Sequence, residues 1–351
     1  MKKIFYLLLL AIIFIVCKKD DPIPDSQPVK PVSGVFILNQ GSWGQNNAGI
    51  SYYDFETEEF QFDITNQSLG DLGQDMISYG NKLYVSVSES GRISIFDLKT
   101  QKLLKSIDLK NGMQVRQPRS LTSYNGKVLA TTLDGNVIRI DTTSLSMDGV
   151  VRVGPNPEGI AAVNGKLYVA NSGGFLPDNT YNNTLSIVDI AELKEEKTIT
   201  VGLNPNFVHA DSYGNVYLSY RGNYYDIPDG FQRIDTKTNT VTDISIPANQ
   251  DFTIIGDSLY FYGVTYNPDF STKNSFGIFN VKTGQLITEK LISDGTLIRT
   301  PYGIGVDPKT KDVYISDTDY SNPGIIHIFG PDGKKKKTLI VGINACKFVF
   351  H

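Results

Sequence analysis

Short stretches in which apolar and polar positions alternate recur along the chain from residue 34 onward, and glycine, asparagine or aspartate bounds each of them. Such alternation predicts half-buried β-strands, and the bounding residues predict tight turns between them. The stretch NPEGIAAVNGKLYVANSGG, residues 156–174, contains the whole pattern: a turn, a strand, an Asn-Gly turn, a second strand and a glycine-rich exit. Outside the N-terminal region no segment has a convincing helical period, so the sequence predicts an all-β protein.

The strand that follows the second turn of this pattern has seven copies. They are GVFILNQ (34–40), NKLYVSV (81–87), GKVLATT (126–132), GKLYVAN (165–171), GNVYLSY (214–220), DSLYFYG (257–263) and KDVYISD (311–317). A further strand follows each copy, and all but the last of these end at a turn that begins with aspartate or asparagine, of the type Asp-x-x-Thr in DFET, DLKT and DTKT. A period of roughly 40–50 residues with four strands per unit is the signature of a β-propeller. The seven copies therefore predict seven blades.

An inner strand precedes every copy except the first. The missing strand is found at the end of the chain, where NACKFVF (344–350) has the same pattern. The C-terminal strand is thus expected to complete the first blade, which leaves no open sheet edge and closes the ring. We assign residues 34–351 to the propeller.

The connections between strands differ in length between the two predicted faces of the propeller. The long ones all fall on one face, at 39–49, 110–118, 171–184, 219–231, 263–275, 293–301 and 316–324. They are rich in tyrosine, asparagine and glycine and contain the only tryptophan, Trp43. Aromatic rings supply stiff contact area beside adaptable hydrogen-bonding groups, a composition that suits the binding of a large polar ligand. Ordinary solubility of loops is the alternative explanation.

The repeat alignment also places one residue per blade at the mouth of the central channel. This channel ring consists of Gln74, Arg119, Glu158, Asn206, Gln250, Tyr302 and Cys346. Its mixed hydrogen-bonding groups suit a ligand rich in amides or hydroxyls, although a channel filled with water is an equal alternative. Together with the long loops, the ring gives the candidate ligand-binding residues Trp43, Asn47, Arg119, Glu158, Tyr181, Asn206, Arg221, Tyr224, Tyr225, Tyr266, Arg299, Tyr302 and Tyr320.

The N-terminus carries the features of an export signal. Two lysines precede an apolar run, residues 4–16, that is too short to span a bilayer and fits a signal peptide. The following Cys17 resembles the lipidated cysteine of a bacterial lipoprotein, although Val16 stands where glycine or alanine is usual. We therefore predict a signal peptide over 1–16, a charged, proline-rich tether over 17–33 and attachment to the membrane through lipid alone.

Charge and chemistry narrow the function classes. The net charge is −4, and removal of residues 1–16 with their two lysines makes it −6, which argues against nucleic-acid binding. The three histidines have no metal-ligand spacing, and no Ser-His-Asp arrangement can be assembled from them. We expect no enzyme activity and no cofactor. The best enzymatic alternative is a lactonase-type hydrolase in which Glu158, Asn206 and an oxygen of Gln250 or Asp251 hold a divalent cation.

The repeated NPEGIAAVNGKLYVANSGG resembles the YncE-like family of seven-bladed propellers over essentially the whole of residues 34–350. The segments GVFILNQGSWGQNNAGISYYDFET and LGDLGQDMISYGNKLYVSVSESGRISIFD are similar to its Bacteroidetes surface lipoproteins, and the Lys-Asp-Asp after Cys17 resembles their export signal. The resemblance implies an outer-membrane, surface-exposed lipoprotein that captures a corrinoid such as cobalamin (vitamin B12) and hands it to a TonB-dependent transporter. A module that binds glycan or protein, or the lactonase, is the alternative.

Overall fold

The computed structural model describes residues 33–65, 68–267, 269 and 271–351. The predicted signal peptide, Cys17 and all but the last residue of the predicted tether lie outside the described residues.

The described chain forms seven four-stranded antiparallel sheets, which we call blades 1–7. Blades 1 and 2 consist of β1 (Gly34–Asn39), β2 (Gly49–Asp54), β3 (Phe60–Gln61) and β30 (Ala345–Phe350), and of β4 (Gly73–Tyr79), β5 (Lys82–Val87), β6 (Arg92–Asp97) and β7 (Leu103–Asp108). A small hairpin of β8 (Lys110–Asn111) and β9 (Gln114–Val115) separates blade 2 from blade 3. Blades 3 and 4 consist of β10 (Pro118–Tyr124), β11 (Lys127–Thr132), β12 (Asn136–Asp141) and β13 (Ser146–Arg152), and of β14 (Pro157–Val163), β15 (Lys166–Asn171), β16 (Thr184–Asp189) and β17 (Lys194–Thr200).

The remaining blades follow in chain order. Blade 5 consists of β18 (Pro205–Ala210), β19 (Asn215–Tyr220), β20 (Gly230–Asp235) and β21 (Thr240–Asp243), and blade 6 of β22 (Phe252–Ile255), β23 (Ser258–Tyr266), β24 (Thr272–Asn280) and β25 (Gln285–Thr288). Blade 7 consists of β26 (Pro301–Val306), β27 (Val313–Asp317), β28 (Ile325–Phe329) and β29 (Lys335–Ile340). The loop between β15 and β16 holds a 3₁₀ turn at Pro177–Asn179. In the part of the chain that the structure describes, no helix has the length and apolarity needed to cross a membrane.

The inner strands β30, β4, β10, β14, β18, β22 and β26 contact one another in cyclic order, which makes the seven-bladed propeller that the repeats predict. The closing strand is also confirmed. β30 pairs antiparallel with β1, with Val35 opposite Phe350 and Ile37 opposite Phe348. Blade 1 is therefore built from both ends of the propeller sequence, and the ring has no open inner edge.

Burial along the blades differs from the half-buried pattern that alternation predicts. The second strands are buried on both faces, as in β1, where all six residues are buried, because each blade is covered by a neighbour on either side. The outer strands are mostly exposed, as in β7. Seven apolar clusters fill the described structure, one between each pair of neighbouring blades. The cluster between blades 7 and 1 packs Ile326 and Leu339 against Val35 and Ile37.

The predicted Asp-x-x-Thr turns are present and have a common geometry. The third strand of every blade except the seventh ends at an aspartate or asparagine. In β6 this is Asp97, whose Oδ1 accepts the backbone N–H of Lys99 at 3.1 Å and of Thr100 at 2.7 Å. A carboxylate or amide oxygen that satisfies two turn N–H groups stabilises a sharp reversal of the chain. These turns keep one face of the propeller short.

The two faces differ as predicted. Connections on one face include residues 40–48, 172–183 and 221–229, whereas turns such as 80–81 and 164–165 join strands on the other. We call these the long-loop face and the tight-turn face. One predicted loop differs: most of 263–275 is strand, because β23 and β24 extend their pairing to Tyr266 opposite Thr272. The side chain of Tyr266 is thereby carried on a hairpin.

Candidate functional site

A cavity of about 490 Å³ lies at the mouth of the central channel on the long-loop face. All seven residues of the channel ring line it, as the repeat alignment predicts. The other candidate residues that line it are Arg221, Tyr266, Arg299 and Tyr320. Its volume is within the usual range for ligand pockets. Residues of the long connections and residues at the beginning of the inner strands therefore line the same cavity.

The inner strands are bulged at the level of the ring. In blade 3 the pairing register slips between Pro118 and Leu121, and blades 4, 5 and 7 slip at the equivalent place. A bulge sets two residues against one on the neighbouring strand and redirects their side chains. Consecutive residues such as Arg119 and Ser120 therefore both line the cavity.

Hydroxyl groups on the second strands hold these bulges from the neighbouring blade. The Ser86 hydroxyl donates to the backbone carbonyl of Arg119 at 2.6 Å, and the Thr131 hydroxyl donates to that of Glu158 at 2.7 Å. Thr131 Oγ1 also accepts the N–H of Ser120 in its own blade at 3.0 Å. The backbone beneath the ring is thus fixed across each of these two blade boundaries.

Arg119 and Glu158 form an ion pair across the cavity wall. Arg119 Nε lies 2.8 Å from Glu158 Oε2, and Nη2 lies 3.2 Å from Oε1, so the pair is bidentate. Both side chains are largely buried. The lactonase hypothesis needs the Glu158 carboxylate as a metal ligand. Both oxygens of this carboxylate are already bound by the guanidinium group of Arg119.

The neighbouring side of the wall combines an arginine with amide and tyrosine side chains. Arg221 Nη2 donates to Asn206 Oδ1 at 3.2 Å, and the Tyr302 hydroxyl donates to Gln40 Oε1. Burial raises the pKa of Tyr302 and of the adjacent Tyr262, so both phenols stay protonated. These groups offer hydrogen-bond donors and acceptors without a carboxylate among them.

Three charged groups lie near the starts of the inner strands, one position after residues of the channel ring. Lys347, Asp251 and Asp75, which we call the channel floor, each follow a ring residue in sequence. Lys347 Nζ lies 3.4 Å from Asp251 Oδ2, and Asp75 Oδ2 accepts the N–H of Leu121 at 2.7 Å. Beyond Lys347 the channel continues into a second cavity of about 650 Å³.

The titration of the channel floor follows from its burial. Burial raises the pKa of Asp75 and of Asp251, and the charge of Lys347 partly opposes this. Burial also disfavours the charged form of Lys347, but the carboxylates of Asp251 and Asp75 outweigh it and raise the lysine pKa. Burial raises the pKa of the Cys346 thiol to about 12, which makes it a poor nucleophile.

Sequence reasoning considered Asp251 only as a metal ligand and did not identify Asp75 or Lys347. The same repeat alignment, advanced by one residue per blade, finds all three. Alternation assigns the next residue to the opposite side of a strand, whereas bulges in blades 2 and 1 turn Asp75 and Lys347 toward the channel, and Asp251 directly precedes β22. The lining residues Gln40, Tyr262 and Asn274 were also missed; each follows from loop or strand geometry that the alignment does not carry.

The remaining candidate residues lie on the same face but not on the cavity wall. Trp43 and Tyr225 are 74% and 93% exposed. Tyr181 contacts Tyr224 edge to face, with ring centroids 5.9 Å apart. Asn47 is also exposed and its Oδ1 accepts the N–H of Ser42 at 2.8 Å, which holds the loop 40–48 in shape.

Across residues 33–351, wherever the structure describes them, no group of three or more histidine, cysteine, aspartate or glutamate side chains is arranged to hold a metal ion. Asn206 Oδ1, the second ligand of the lactonase hypothesis, accepts its hydrogen bond from Arg221. A cation at this place would have to displace the guanidinium groups of Arg119 and Arg221.

Several solved structures have a similar fold. A putative 6-phosphogluconolactonase from Bacteroides uniformis aligns with a TM-score of 0.63 and 12% identity over 90% of this chain and 100% of its own. A protein from Lactobacillus plantarum aligns with a TM-score of 0.61 and 14% identity over 91% and 99%. Hydrazine synthase from Kuenenia stuttgartiensis aligns with a TM-score of 0.62 and 16% identity over 78% and 88%. Likeness at this identity shows the fold alone.

No curated protein matches the chain significantly. The family model described as "Domain of unknown function (DUF5074)" matches residues 33–339, and the chain therefore belongs to that family.

Proposed function

We propose that this protein is a surface lipoprotein that captures a corrinoid and passes it to a TonB-dependent transporter of the outer membrane. The observation that carries the proposal is the composition of the long-loop face: a polar cavity at the channel mouth, with tyrosines on its wall and further exposed aromatic side chains on the loops around it.

The chemistry of a corrinoid matches this arrangement. A corrinoid is a broad, largely apolar macrocycle with a fringe of amide side chains. Tyr266 and Tyr320 line the cavity and are 70% and 55% exposed, so their rings are free to pack against a flat ligand. The amide groups of Gln74, Asn206 and Gln250 supply donors and acceptors for the fringe.

The location and the transporter in this proposal come from the sequence. The predicted lipidation of Cys17 and the acidic residues after it support display on the cell surface. The resemblance to corrinoid-capturing lipoproteins supports a barrel transporter as the partner that receives the ligand. Glycan or protein binding by the same loops, and lactonase activity, are the outcomes that the binding experiment below separates from this one.

The first prediction concerns the tyrosines of the cavity. Tyr266→Ala and Tyr320→Ala should each weaken cyanocobalamin binding by about 2 kcal/mol, roughly thirtyfold, because each removes an aromatic anchor that the ligand would bury. Isothermal titration calorimetry, with the visible spectrum of the desalted complex as a second readout, measures this.

Tyr213→Ala is the matched control. Tyr213 is 45% exposed on the tight-turn face, where its hydroxyl donates to Asp257 at 2.6 Å, and its removal should leave affinity unchanged. A parent protein that gives neither heat nor a spectral change with cyanocobalamin would overturn the corrinoid proposal in favour of glycan or protein binding. Metal-dependent hydrolysis of a lactone would favour the enzyme instead.

A further inference from the structure

The cavity has the opposite charge to the chain that encloses it. The whole chain carries a net charge of −4. The charged side chains on the cavity wall are four cations and two carboxylates: Arg119, Arg221, Arg299 and Lys347 against Glu158 and Asp251. The local excess is therefore positive, and a site of this kind attracts an anion.

Not all of these cations are equally free. Arg119 is held by both oxygens of Glu158, and Lys347 lies beside Asp251 with Asp75 close behind. Arg221 and Arg299 form no ion pair with any residue that the structure describes. The positive excess is thus located on these two arginines.

Arg221 has an unused donor inside the protein. Its Nη2 donates to the neutral Asn206 Oδ1, whereas its Nε is buried without a hydrogen-bond partner. A buried donor left unpaired is costly, and a bound anion with several acceptor oxygens would remove that cost. Planar guanidinium groups favour phosphate because they present two parallel N–H bonds to it.

Arg299 is placed at the rim by its backbone. Its N–H donates to Asp317 Oδ2 at 3.1 Å, and its carbonyl accepts the side-chain amide of Asn274 at 3.0 Å. The side chain itself is exposed. Arg221 is therefore the more buried of the two arginines and Arg299 the more exposed, and both line the same cavity.

We propose that Arg221 and Arg299, which line the same cavity as the Arg119–Glu158 pair, form a subsite for an anionic phosphodiester group of the ligand. The proposal rests on the proposed function because it takes the ligand to be a corrinoid. It predicts that the protein prefers corrinoids with a nucleotide loop, which contains a phosphodiester, over corrinoids that lack the loop. The macrocycle would lie against the tyrosines while the phosphodiester reaches the two arginines.

Two corrinoids test this. Cyanocobalamin contains the phosphodiester, and dicyanocobinamide has the same macrocycle without it. The parent protein should bind cyanocobalamin more tightly, and Arg221→Gln should weaken cyanocobalamin roughly tenfold or more while it changes dicyanocobinamide affinity little. Arg299→Gln, at an exposed position that does not threaten folding, should show the same selectivity with a smaller loss.

Lys99→Gln is the control for charge alone. Lys99 is an exposed residue in a turn of the tight-turn face, so its loss changes the net charge equally without touching the cavity. Its affinities for both corrinoids should equal those of the parent. Equal weakening of both corrinoids by Arg221→Gln and Arg299→Gln, or no weakening of either, would overturn the subsite while the proposed corrinoid function stands.

Inorganic phosphate separates the subsite from the corrinoid. At equal ionic strength, phosphate in place of chloride should raise the melting temperature of the parent and of Lys99→Gln by more than that of Arg221→Gln, because phosphate also stabilises folded proteins without a specific site. If no corrinoid binds and this phosphate effect is present, the subsite stands and the proposed function fails. If no corrinoid binds and phosphate has no effect that depends on Arg221, both are wrong.

Discussion

Lys347 lies inside the central channel, with its Nζ 3.4 Å from Asp251 Oδ2 and 4.9 Å from the centroid of the Phe207 ring. The carboxylates of the channel floor are almost fully buried; Asp75 accepts two backbone N–H groups and Asp251 accepts one. Two buried carboxylates near one cation are stable together because the lysine offsets part of the cost of burying them. The lysine is therefore a structural counter-charge as well as a wall residue.

Replacement of Lys347 by methionine should destabilise the protein by about 3–5 kcal/mol at neutral pH, because it leaves Asp251 and Asp75 buried without a counter-charge. Burial already raises the pKa of both carboxyl groups, and loss of the lysine raises it further. A folded-state pKa above the unfolded value gives stability at low pH that is lost as the pH rises through the folded pKa. The destabilisation should thus be smaller at a pH of about 5 than at about 7.5.

Unfolding in urea at the two pH values measures this effect, and Lys99→Met, in an exposed turn, is the matched control with little expected change. A loss of stability that is the same at both pH values would show that the carboxylates of the channel floor are not the cause.

At the scale of elements, the strands were predictable because each blade repeats the same alternation and the same turn chemistry. The burial of both faces of the second strands was not predictable, because it depends on packing against the neighbouring blades and not on the sequence of one strand. The segment Lys334–Lys337 shows the same limit. Four consecutive lysines are typical of a solvated turn, but Lys335–Lys337 begin β29, where Lys337 pairs with Glu58 of blade 1 at 2.9 Å.

The site was predictable to the level of the channel ring and no further. Alignment of the repeats identifies which residue of each blade reaches the channel mouth, because equivalent positions have equivalent backbone geometry. It does not show that Arg119 pairs with Glu158 while Arg221 turns to Asn206, since those contacts depend on side-chain reach between blades. The alternation of apolar and polar residues does not predict the bulges either, and a bulge brings Lys347 into the channel.

The prediction at the scale of elements concerns β30, the strand that closes the ring. Deletion of residues 344–351 removes β30, exposes the edge of β1 and takes Phe348 and Phe350 from their contacts with Tyr314. The truncated protein should lose its cooperative unfolding transition, because it loses the backbone pairing of β30 and the buried Ala345, Cys346 and Val349 together with two partly buried phenylalanines. Circular dichroism on heating measures this.

Deletion of His351 alone is the control. It removes only the backbone hydrogen bonds between His351 and Gly34, at 2.9 and 3.1 Å, and should lower the melting temperature slightly. A protein without 344–351 that melts like the parent would mean that β30 does not close the ring in solution.

At the scale of the whole molecule, the exposed apolar side chains are unevenly distributed. Most of the exposed large apolar side chains that lie on connections between strands are on the long-loop face. Examples are Trp43, Met113, Phe175, Tyr225 and Leu297. Among the described connections of the tight-turn face, only Tyr213 is a large exposed apolar residue. Aromatic and aliphatic groups gathered on one face favour contact with a large ligand or another macromolecule. The cavity is the centre of that surface.

The last prediction concerns where this surface is displayed. Cys17→Ala removes the thiol at the end of the predicted signal sequence to which lipid would be attached. A lipid chain contributes about 0.8 kcal/mol per buried CH₂ to membrane binding, so the variant should leave the membrane fraction or remain attached by an uncleaved signal sequence. Asp20→Ala with Asp21→Ala should keep the lipid and the membrane fraction but lose cleavage by protease added to intact cells. If protease cleaves the double variant as it cleaves the parent, these aspartates have no role in export. If the Cys17→Ala protein is still lipidated and in the membrane fraction, the lipid is attached at another residue.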